Sequence, residues 1–334
     1  MKVSVRKISE VTGFSPATVS NALNRKKGVN KETAEKIFEA AEKLGYHSGE
    51  KITKIKFVMF RRNGLIIDDS AFHPAVIEGV EKQAKEMGYE TVFTYVDISD
   101  PESCSQIKGI TEDTSAAVVL LGTEMLEEDF KLFADAKCHI ILLDGWSDIF
   151  FFDAVLISNT DAACRAMEYL VEKGHRRIGY IGGDFRIQAF KYREIGYRRV
   201  MEKYRLPVED KYQVLVGTKI ETAYEKMKEY LEHNNELPTA FFSDNDIIAI
   251  GAMRALQEKG YRIPEDVSVV GFDDLNFGLV SNPPLTTVHV YKREMGEIAV
   301  RELAEAMQNK NKMKCKIQVC TEFIERGSVR DVVQ

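Results

Sequence analysis

The stretch TAFFSDNDIIAIGAMRALQEKGYRIPEDVSVVGFDD, residues 239–274, contains a strand, a helix and a second strand in succession. The segments TAFFSD and VSVVGFD are short and mostly apolar, whereas DIIAIGAMRALQEKG between them has the pattern of an amphipathic helix. Continuously apolar strands that alternate with helices are typical of a parallel sheet covered by helices on both faces. This stretch therefore predicts an α/β fold.

The same alternation extends in both directions and gives eleven candidate strands from Lys54 onward. They lie at residues 56–60, 91–96, 116–121, 139–144, 154–158, 177–183, 212–217, 239–244, 267–273, 286–290 and 316–326. Helices such as PAVIEGVEKQAKEMG separate most of them. Eleven strands in a chain of 334 residues fit two doubly wound parallel-sheet subdomains better than a single sheet.

The first 47 residues predict a small all-α domain of three short helices instead. The segment GFSPATVSNALN (13–24) opens the second helix, with Ser15 as its N-cap and Pro16 at its first position. Residues 48–54 have little apolar content and are typical of a linker. We therefore expect a helical domain at 1–47, a linker at 48–54 and an α/β core at 55–334.

The charge of the chain differs between these regions. The formal net charge of −6 argues against nucleic acid as a partner of the whole chain. Residues 1–47, however, contain nine Lys or Arg and five Glu, a net charge of +4, and the other 287 residues carry −10. A basic head on an acidic body indicates that only the head contacts a polyanion.

Several classes of protein are not expected. The N-terminal segment MKVSVRKISE lacks the apolar region of a secretory signal, and the apolar runs are too short to span a bilayer. No cluster among the five Cys and six His has zinc-ligand spacing, and an odd number of cysteines suits a reducing compartment. We therefore expect a cytoplasmic protein without a metal or cofactor.

Two helices joined by a tight turn, with a third behind them, fit a helix-turn-helix whose second helix enters the major groove of DNA. On this helix, Asn21 can pair with adenine, and Ala17 or the methyl group of Thr18 can contact a thymine methyl group. The remaining candidates contact the phosphate backbone, supply charge or start the helix: Ser15, Pro16, Ser20, Asn24, Arg25, Lys26 and Lys27. A helical docking module is the alternative from the pattern alone.

The segment ISEVTGFSPATVSNALNRKKGVNKETAEKIFEAAEKLGY resembles the DNA-binding domain of the lactose-repressor (LacI/GalR) family of bacterial transcription regulators. YLVEKGHRRIGYIGG, YREIGYRRVM and PPLTTVHVYKREMGEIAVREL resemble the core domain of that family. The resemblance implies a core similar to periplasmic sugar-binding proteins, with two α/β subdomains around a ligand. The first subdomain would be about 55–159 and 291–321, and the second about 160–290 and 322–334.

The segment after Tyr46 departs from the family pattern. Family members usually continue with a P-N-x-x-A-R-x-L segment that forms a hinge helix and inserts into the minor groove. This chain continues with HSGEKITKIKFVMF, which lacks those residues and is about seven residues shorter. An atypically short hinge is therefore expected, and minor-groove insertion is not.

The resemblance also implies a small-molecule effector in the cleft between the subdomains. Arg193 would hold effector oxygens, Asp273 would accept hydroxyl protons, Asn245 would contact the ligand, and Asp246 would cap a helix. Trp146 would either stack on a sugar ring or be a core residue. The full set of predicted effector contacts is Phe72, His73, Asp144, Trp146, Arg193, Thr218, Asn245 and Asp273.

The sequence thus predicts a homodimeric transcriptional regulator that binds a pseudo-palindromic operator under the control of a small-molecule effector. A carbohydrate is the predicted effector. A nucleobase effector, a partner protein, or a cytoplasmic sugar-binding protein without a DNA role are the alternatives. An enzyme is not expected, because the chain has no complete dinucleotide fingerprint, no P-loop and no nucleophile elbow.

Overall fold

The structure is a computed structural model that describes residues 4–23, 28–44, 52–68, 71–234, 236–309 and 311–332. The chain divides into two compact units between Thr53 and Lys54. We refer to the first as the head and to the second as the core domain. Within the described residues, none of the helices is long and apolar enough to cross a membrane.

The head consists of three helices, α1 (Val5–Thr12), α2 (Pro16–Leu23) and α3 (Lys31–Lys43). Each begins at a side-chain cap: Ser4 accepts from the amide of Lys7, Ser15 from that of Thr18, and Asn30 from that of Thr33. The helices enclose a small apolar cluster of Ile8, Val19, Ala22, Leu23, Ile37 and Ala41. The predicted all-α head is therefore observed.

The first subdomain of the core is built on a six-stranded parallel sheet in the order β11-β5-β4-β3-β1-β2. Its strands are β1 (Lys54–Arg61), β2 (Glu90–Asp97), β3 (Ala116–Leu121), β4 (Ile140–Leu143), β5 (Asp153–Ile157) and β11 (Lys316–Val319). Strands β3, β4 and β5 are buried along their whole length, as expected for the centre of a sheet covered on both faces.

The second subdomain contains a four-stranded parallel sheet in the order β7-β6-β8-β9, and a two-stranded antiparallel sheet lies beside it. These strands are β6 (Ile178–Gly183), β7 (Gln213–Val216), β8 (Ala240–Ser243), β9 (Ser268–Val270), β10 (Thr287–His289) and β12 (Glu322–Ile324). The predicted fold class, two doubly wound parallel-sheet subdomains, is confirmed.

Helices cover both sheets. They are α4 (His73–Glu86), α5 (Ser103–Glu112), α6 (Asn159–Glu172), α7 (Gln188–Lys203), α8 (Ile220–His233), α9 (Asp246–Glu258), α10 (Asn276–Val280) and α11 (Lys292–Gln308), with short 3₁₀ segments at Glu127–Phe133 and Asp210–Tyr212. Helices α4 and α11 pack closely: a Cβ at Gly79 would overlap the backbone of Arg293, so only glycine fits there. Helix α11 therefore belongs to the first subdomain although it follows the second in sequence.

The segment 316–326, predicted as one strand, is two strands in different sheets. Lys316 to Val319 pair with β5 of the first subdomain, whereas Glu322 to Ile324 pair with β10 beside the second. The chain crosses between the subdomains at the two residues that separate these strands. An apolar pattern does not specify which partner a strand pairs with, so the sequence did not reveal the break.

Candidate functional site

The second helix of the head presents small side chains on one face and apolar side chains on the other. Val19, Ala22 and Leu23 are buried in the cluster of the head. Among the predicted DNA-contacting residues, Ser15, Pro16, Ala17 and Asn21 are exposed, and Thr18 and Ser20 are partly exposed. The exposed face therefore lets the backbone of α2 approach another surface closely, which is what a recognition helix requires.

The turn before α2 is fixed by local hydrogen bonds. Gly13 ends α1 with φ of 74°, a conformation that favours glycine. The hydroxyl of Ser9 donates to the carbonyl oxygen of Phe14 at 2.6 Å, and the hydroxyls of Ser15 and Thr18 are 2.8 Å apart. Both of the latter groups lie at the surface of the head, where phosphate oxygens can reach them.

Other predictions for this region fall on residues that the structure does not describe. Asn24, Arg25, Lys26 and Lys27 lie outside the described residues, and so does most of the short hinge, residues 45–51. Their assignment to DNA contacts and to an atypical hinge therefore stays a prediction.

In the core domain, a cavity of about 340 Å³ lies between the two subdomains. Its lining residues follow the carboxyl ends of strands in both sheets, where open α/β sheets bind ligands. Seven of the eight predicted effector contacts line it: Phe72, His73, Asp144, Arg193, Thr218, Asn245 and Asp273. The volume is at the lower end of the range of about 300–1,000 Å³ that is usual for small-molecule sites.

Arg193 of α7 is held by protein groups on three sides. Its Nε donates to Asn159 Oδ1 at 2.9 Å, Nη1 to the carbonyl oxygen of Asp244 at 2.6 Å, and Nη2 to Asp273 Oδ1 at 3.1 Å. The guanidinium carbon lies 3.6 Å from the centre of the Phe272 ring. A guanidinium has five N–H groups, so two remain beyond these three bonds to face a ligand.

The ion pair of Arg193 with Asp273 is buried. Only 3% of Arg193 and 6% of Asp273 is exposed. Burial raises the pKa of Asp273, and the positive charge of Arg193 opposes this rise. Asp273 has φ of 106° and Asp144 has φ of 53°, a left-handed conformation that Asn and Asp tolerate better than most residues.

On the side of the first subdomain, three polar residues form a chain. Thr123 Oγ1 donates to Asp144 Oδ2 at 2.8 Å and lies 3.5 Å from His73 Nε2. Burial raises the pKa of Asp144 to about 6, against the hydrogen bond from Thr123, and lowers the pKa of His73 to about 4. His73 is therefore neutral near pH 7, and its buried Nδ1 has no hydrogen-bond partner among the described residues.

The helix cap at the other edge of the cavity was assigned to the wrong residue. Asn245 caps α9 by accepting from the amide of Ile248 at 2.9 Å, which leaves its NH₂ group to donate to a ligand. Asp246, which was expected to be the cap, is buried and accepts from the amide of Leu275 at 2.7 Å and the hydroxyl of Thr287 at 2.6 Å. The carboxylate turns inward because these two donors converge on it.

Trp146 does not line the cavity, and the expectation that it stacks on a sugar ring is not supported. It lies in the apolar cluster of the first subdomain and meets Tyr192 of α7 edge-on, with ring centres 4.8 Å apart. Its amide donates to Gln188 Oε1 at 3.3 Å. The large apolar ring is buried where the two subdomains contact each other, rather than at the ligand cavity.

More than half of the residues that line the cavity were not predicted from the sequence. These residues are Leu65, Ile66, Thr123, Ile187, Ala189, Phe190, Lys219, Ile220, Glu221, Ile247 and Phe277. Thr123 and Lys219 had a usable signal, because they follow strand ends as Asp144 and Thr218 do. The others are apolar or helix-terminal residues whose position depends on how the two subdomains pack.

Two family models match parts of the chain. The model of bacterial regulatory proteins of the lacI family matches residues 5–48, and the model of the periplasmic binding protein-like domain matches residues 167–329. The HTH-type transcriptional repressor PurR of Haemophilus influenzae strain PittEE is 27% identical over 336 residues, which cover 99% of each chain. PurR of Vibrio atlanticus strain LGP32 is 28% identical over 331 residues, 98% of each chain.

The chain belongs to the lacI family of bacterial regulatory proteins. As a lacI-family member it is a DNA-binding transcriptional regulator, and the expectation that it is not an enzyme is confirmed by relatives that are repressors.

Two solved structures share its fold. The CelR–cellobiose complex has a TM-score of 0.74 at 23% identity and covers 98% of this chain and 99% of its own. The Lac repressor dimer bound to operator and the anti-inducer ONPF has a TM-score of 0.74 at 21% identity and covers 99% of this chain and 100% of its own.

Proposed function

We propose that this lacI-family regulator is a repressor whose operator affinity is controlled by an uncharged carbohydrate bound in the cavity of the core domain. One observation carries the proposal: hydrogen-bonding groups of both polarities converge on a cavity that both subdomains form. Asp144 and Asp273 accept, whereas Arg193 and Asn245 donate. Adjacent sugar hydroxyls both donate and accept, so they match this arrangement.

The charges around the cavity favour an uncharged ligand. Its described lining contains the acidic residues Asp144, Glu221 and Asp273 and the basic residues Arg193 and Lys219. Arg193 is already paired with Asp273. The hydrogen bond from Arg61 lowers the pKa of Asp68, and the charge of Lys219 adds a smaller effect in the same direction. A phosphorylated ligand would bring a negative charge close to the carboxylates of Asp144 and Glu221, which is unfavourable.

A nucleobase is the second candidate effector. The curated relatives are PurR repressors, and three phenylalanines, Phe72, Phe190 and Phe277, line the cavity. Aromatic rings can stack on a flat base. The four buried or partly buried polar groups named above are more than a base edge needs and suit a polyhydroxy ligand better.

We propose that the head reads DNA through the exposed face of α2, with Asn21 on a base edge and Ser15, Thr18 and Ser20 near the phosphates. Two heads in a homodimer would read the two halves of a pseudo-palindromic operator. The crystal structure of the Lac repressor contains a dimer bound to operator, which supports this arrangement by similarity of fold alone. Operator binding makes the cytoplasm the proposed location.

The ligand would act through the placement of the subdomains. Residues of both subdomains line the cavity, so a ligand that contacts Asp144 on one side and Arg193 on the other favours one relative arrangement. The change in operator affinity cannot exceed the difference in ligand affinity between the two arrangements. We expect a coupling of about 1–2 kcal/mol, at the low end of the usual range.

The test starts with a thermal-shift screen of the full chain against neutral sugars, their phosphates and nucleobases. Calorimetry with the best neutral sugar then compares the wild type with Asp144→Asn and Asp273→Asn, since Asn tolerates the positive φ at both sites. Asp148→Asn, at an exposed position outside the cavity, is the matched control. We expect at least about tenfold weaker binding in the two cavity variants, as for loss of a charged hydrogen bond, and no change in the control.

Three results would contradict the proposal. A shift with nucleobases alone would favour the second candidate, and a stronger shift with sugar phosphates than with sugars would contradict the charge argument. Unchanged affinity in both cavity variants would place the ligand elsewhere. Sedimentation as a monomer, with and without operator DNA, would rule out the homodimer.

A further inference from the structure

A carboxylate beside the cavity is surrounded by backbone amides. Glu124 is fully buried. Its Oε2 accepts from the amides of Arg62, Asn63 and Gly64 at 2.8, 3.1 and 3.0 Å, and its Oε1 accepts from those of Ile66 and Ile67 at 2.8 and 3.0 Å. We call residues 62–67 the cover loop. Five charge-assisted hydrogen bonds from one segment to one carboxylate fix the conformation of the cover loop.

The cover loop contacts the second subdomain. Leu65 and Ile66 line the cavity from the side of the first subdomain. The carbonyl oxygen of Leu65 accepts from Thr218 Oγ1 of the second subdomain at 2.8 Å, and the side chain of Ile66 packs against the apolar cluster of the second subdomain. The loop therefore extends across one side of the cavity and bonds to the facing subdomain.

In a second contact between the subdomains, a side chain of the second subdomain packs against the first. Tyr192 of α7, in the second subdomain, packs against the apolar cluster of the first subdomain and meets Trp146 edge-on. Each subdomain thus packs a side chain against the cluster of the other, Ile66 from the first subdomain and Tyr192 from the second. Separation of the subdomains would expose both side chains to water, at a cost in apolar surface burial.

We propose that Glu124 is a positioning residue that fixes the cover loop, and that the loop then holds the two subdomains together over the cavity through Leu65, Ile66 and Thr218. The inference rests on the proposed function only in taking this cavity as the effector site. Its consequence is that the protein itself, rather than the ligand alone, maintains the closed arrangement.

The negative charge of Glu124 is essential to this role. In Glu124→Gln, an NH₂ group replaces one oxygen and faces two or three amide donors, which then lack an acceptor in a buried position. We expect the cover loop to change conformation, because no other acceptor is placed where the amides converge in the described structure. The rest of the first subdomain does not depend on this carboxylate for a described hydrogen bond.

The test uses the full chain without ligand and two readouts. Trp146 is the only tryptophan in the sequence, so acrylamide quenching of its fluorescence reports on the contact with Tyr192. Hydrogen exchange at the amides of residues 62–67 reports on their bonds to Glu124. The variants are Glu124→Gln and Thr218→Val, the second of which removes the bond to Leu65 without changing the volume much.

In Glu124→Gln we expect the cover-loop amides to exchange at least about tenfold faster and the quenching constant of Trp146 to rise about twofold. In Thr218→Val we expect the same rise in quenching, whereas the cover-loop amides stay protected because Glu124 still holds them. If Glu124 stabilised only the cover loop itself, Glu124→Gln would speed amide exchange and leave the quenching of Trp146 unchanged.

The controls have similar chemistry at other places. Glu297→Gln changes a partly buried carboxylate that pairs with Lys82. Thr111→Val removes a hydroxyl that donates to the carbonyl oxygen of Lys108 inside one subdomain. Both should leave the two readouts unchanged.

Unchanged Trp146 quenching in Thr218→Val would overturn the proposal, and that variant keeps it testable even where Glu124→Gln does not fold. Unchanged amide exchange in a folded Glu124→Gln would overturn the role of Glu124. Because neither readout needs a ligand, failure of the carbohydrate proposal in the thermal-shift screen is distinguishable from failure of this one.

Discussion

The head and the core domain present their polar side chains in opposite ways. On the head, Asn21 and Ser15 are exposed, and the apolar residues behind them are the ones that stabilise the unit. In the core domain, Arg193, Asp273 and Asp246 are buried and bonded to one another or to the backbone. Apart from Ser15, which also caps α2, the proposed DNA-binding groups are therefore separate from the groups that stabilise the head, whereas at the cavity the two sets overlap.

This difference decides what a substitution can show. A variant of the exposed face of α2 changes DNA binding with little effect on folding, because exposed side chains contribute little to stability. A variant of the cavity changes stability and ligand affinity together, because it leaves a buried partner without its bond. Binding data on cavity variants are therefore interpretable only together with their free energy of unfolding.

The largest effect is expected for Arg193→Ala. This change leaves Asp273 buried without its partner and takes the donors away from Asn159 and from the carbonyl oxygen of Asp244. We expect the free energy of unfolding of the core domain to fall by about 3–5 kcal/mol, as measured by chemical denaturation. Arg198→Ala, which removes only an exposed pair with Glu194, should cost less than about 1 kcal/mol. If the two variants lost similar amounts of stability, the residues of the proposed ligand site would not be the ones that stabilise the core domain.

A pH-dependent effect of intermediate size is expected for Asp246→Asn. Burial raises the pKa of Asp246 to about 7, with the hydrogen bond from Thr287 opposing. Because this pKa is raised, the folded state favours the protonated carboxyl group. The free energy of unfolding of the wild type therefore falls as the pH rises from about 4 to 7 and the unfolded state ionises. The free energy of unfolding of the variant minus that of the wild type should therefore increase by a few kcal/mol over this range.

Denaturation at pH 5 and pH 8 measures this difference. The control is Asp266→Asn, because the hydrogen bond from Arg262 lowers the pKa of the exposed Asp266 to about 2. That carboxylate is ionised at both pH values, so its variant should show no pH-dependent difference. A difference for Asp246→Asn that does not change with pH would mean that its carboxyl group is not perturbed by burial.

The smallest effect on folding, with a clear effect on binding, is expected for Asn21→Ala. Operator affinity should fall by about 1–3 kcal/mol, affinity for random DNA should not change, and the stability of the head should change by less than about 0.5 kcal/mol. Fluorescence anisotropy with operator and random duplexes measures the first two. Lys26→Ala should weaken binding to both duplexes and flatten the salt dependence. Equal losses on both duplexes for Asn21→Ala would contradict its role in base reading.

The sequence predicted the parts of the fold that depend on local pattern. Buried strands such as β3 are continuous apolar runs, and caps such as Ser15 and Asn30 mark helix starts. The ligand cavity between the subdomains was implied by the resemblance to the lactose-repressor family, and seven of the eight residues proposed for it do line the cavity. Their roles toward a ligand stay a prediction.

The features that were missed depend on packing between distant segments. Glu124 belongs to the acidic stretch TEMLEED and gives no sign in the sequence that five amides surround it. Asn245 and Asp246 both suit a helix cap, and only the donors that approach from Leu275 and Thr287 decide between them. Trp146 could equally have been a ligand contact or a core residue until Tyr192 was seen against it.

The pairing of β5 with β11 has a consequence for synthesis of the chain. Ala154 pairs with Lys316, so the outer edge of the first sheet stays open until the last part of the chain leaves the ribosome. By then the strands of the second sheet, β6 to β9, have already emerged. The subdomain that is started first is thus completed only after the four-stranded sheet of the second has emerged, which departs from the usual N-terminal-first order of domain folding. In the nascent chain, β5 therefore exposes an unpaired edge that can join the wrong strand, and a product that stops before residue 316 would keep that edge permanently.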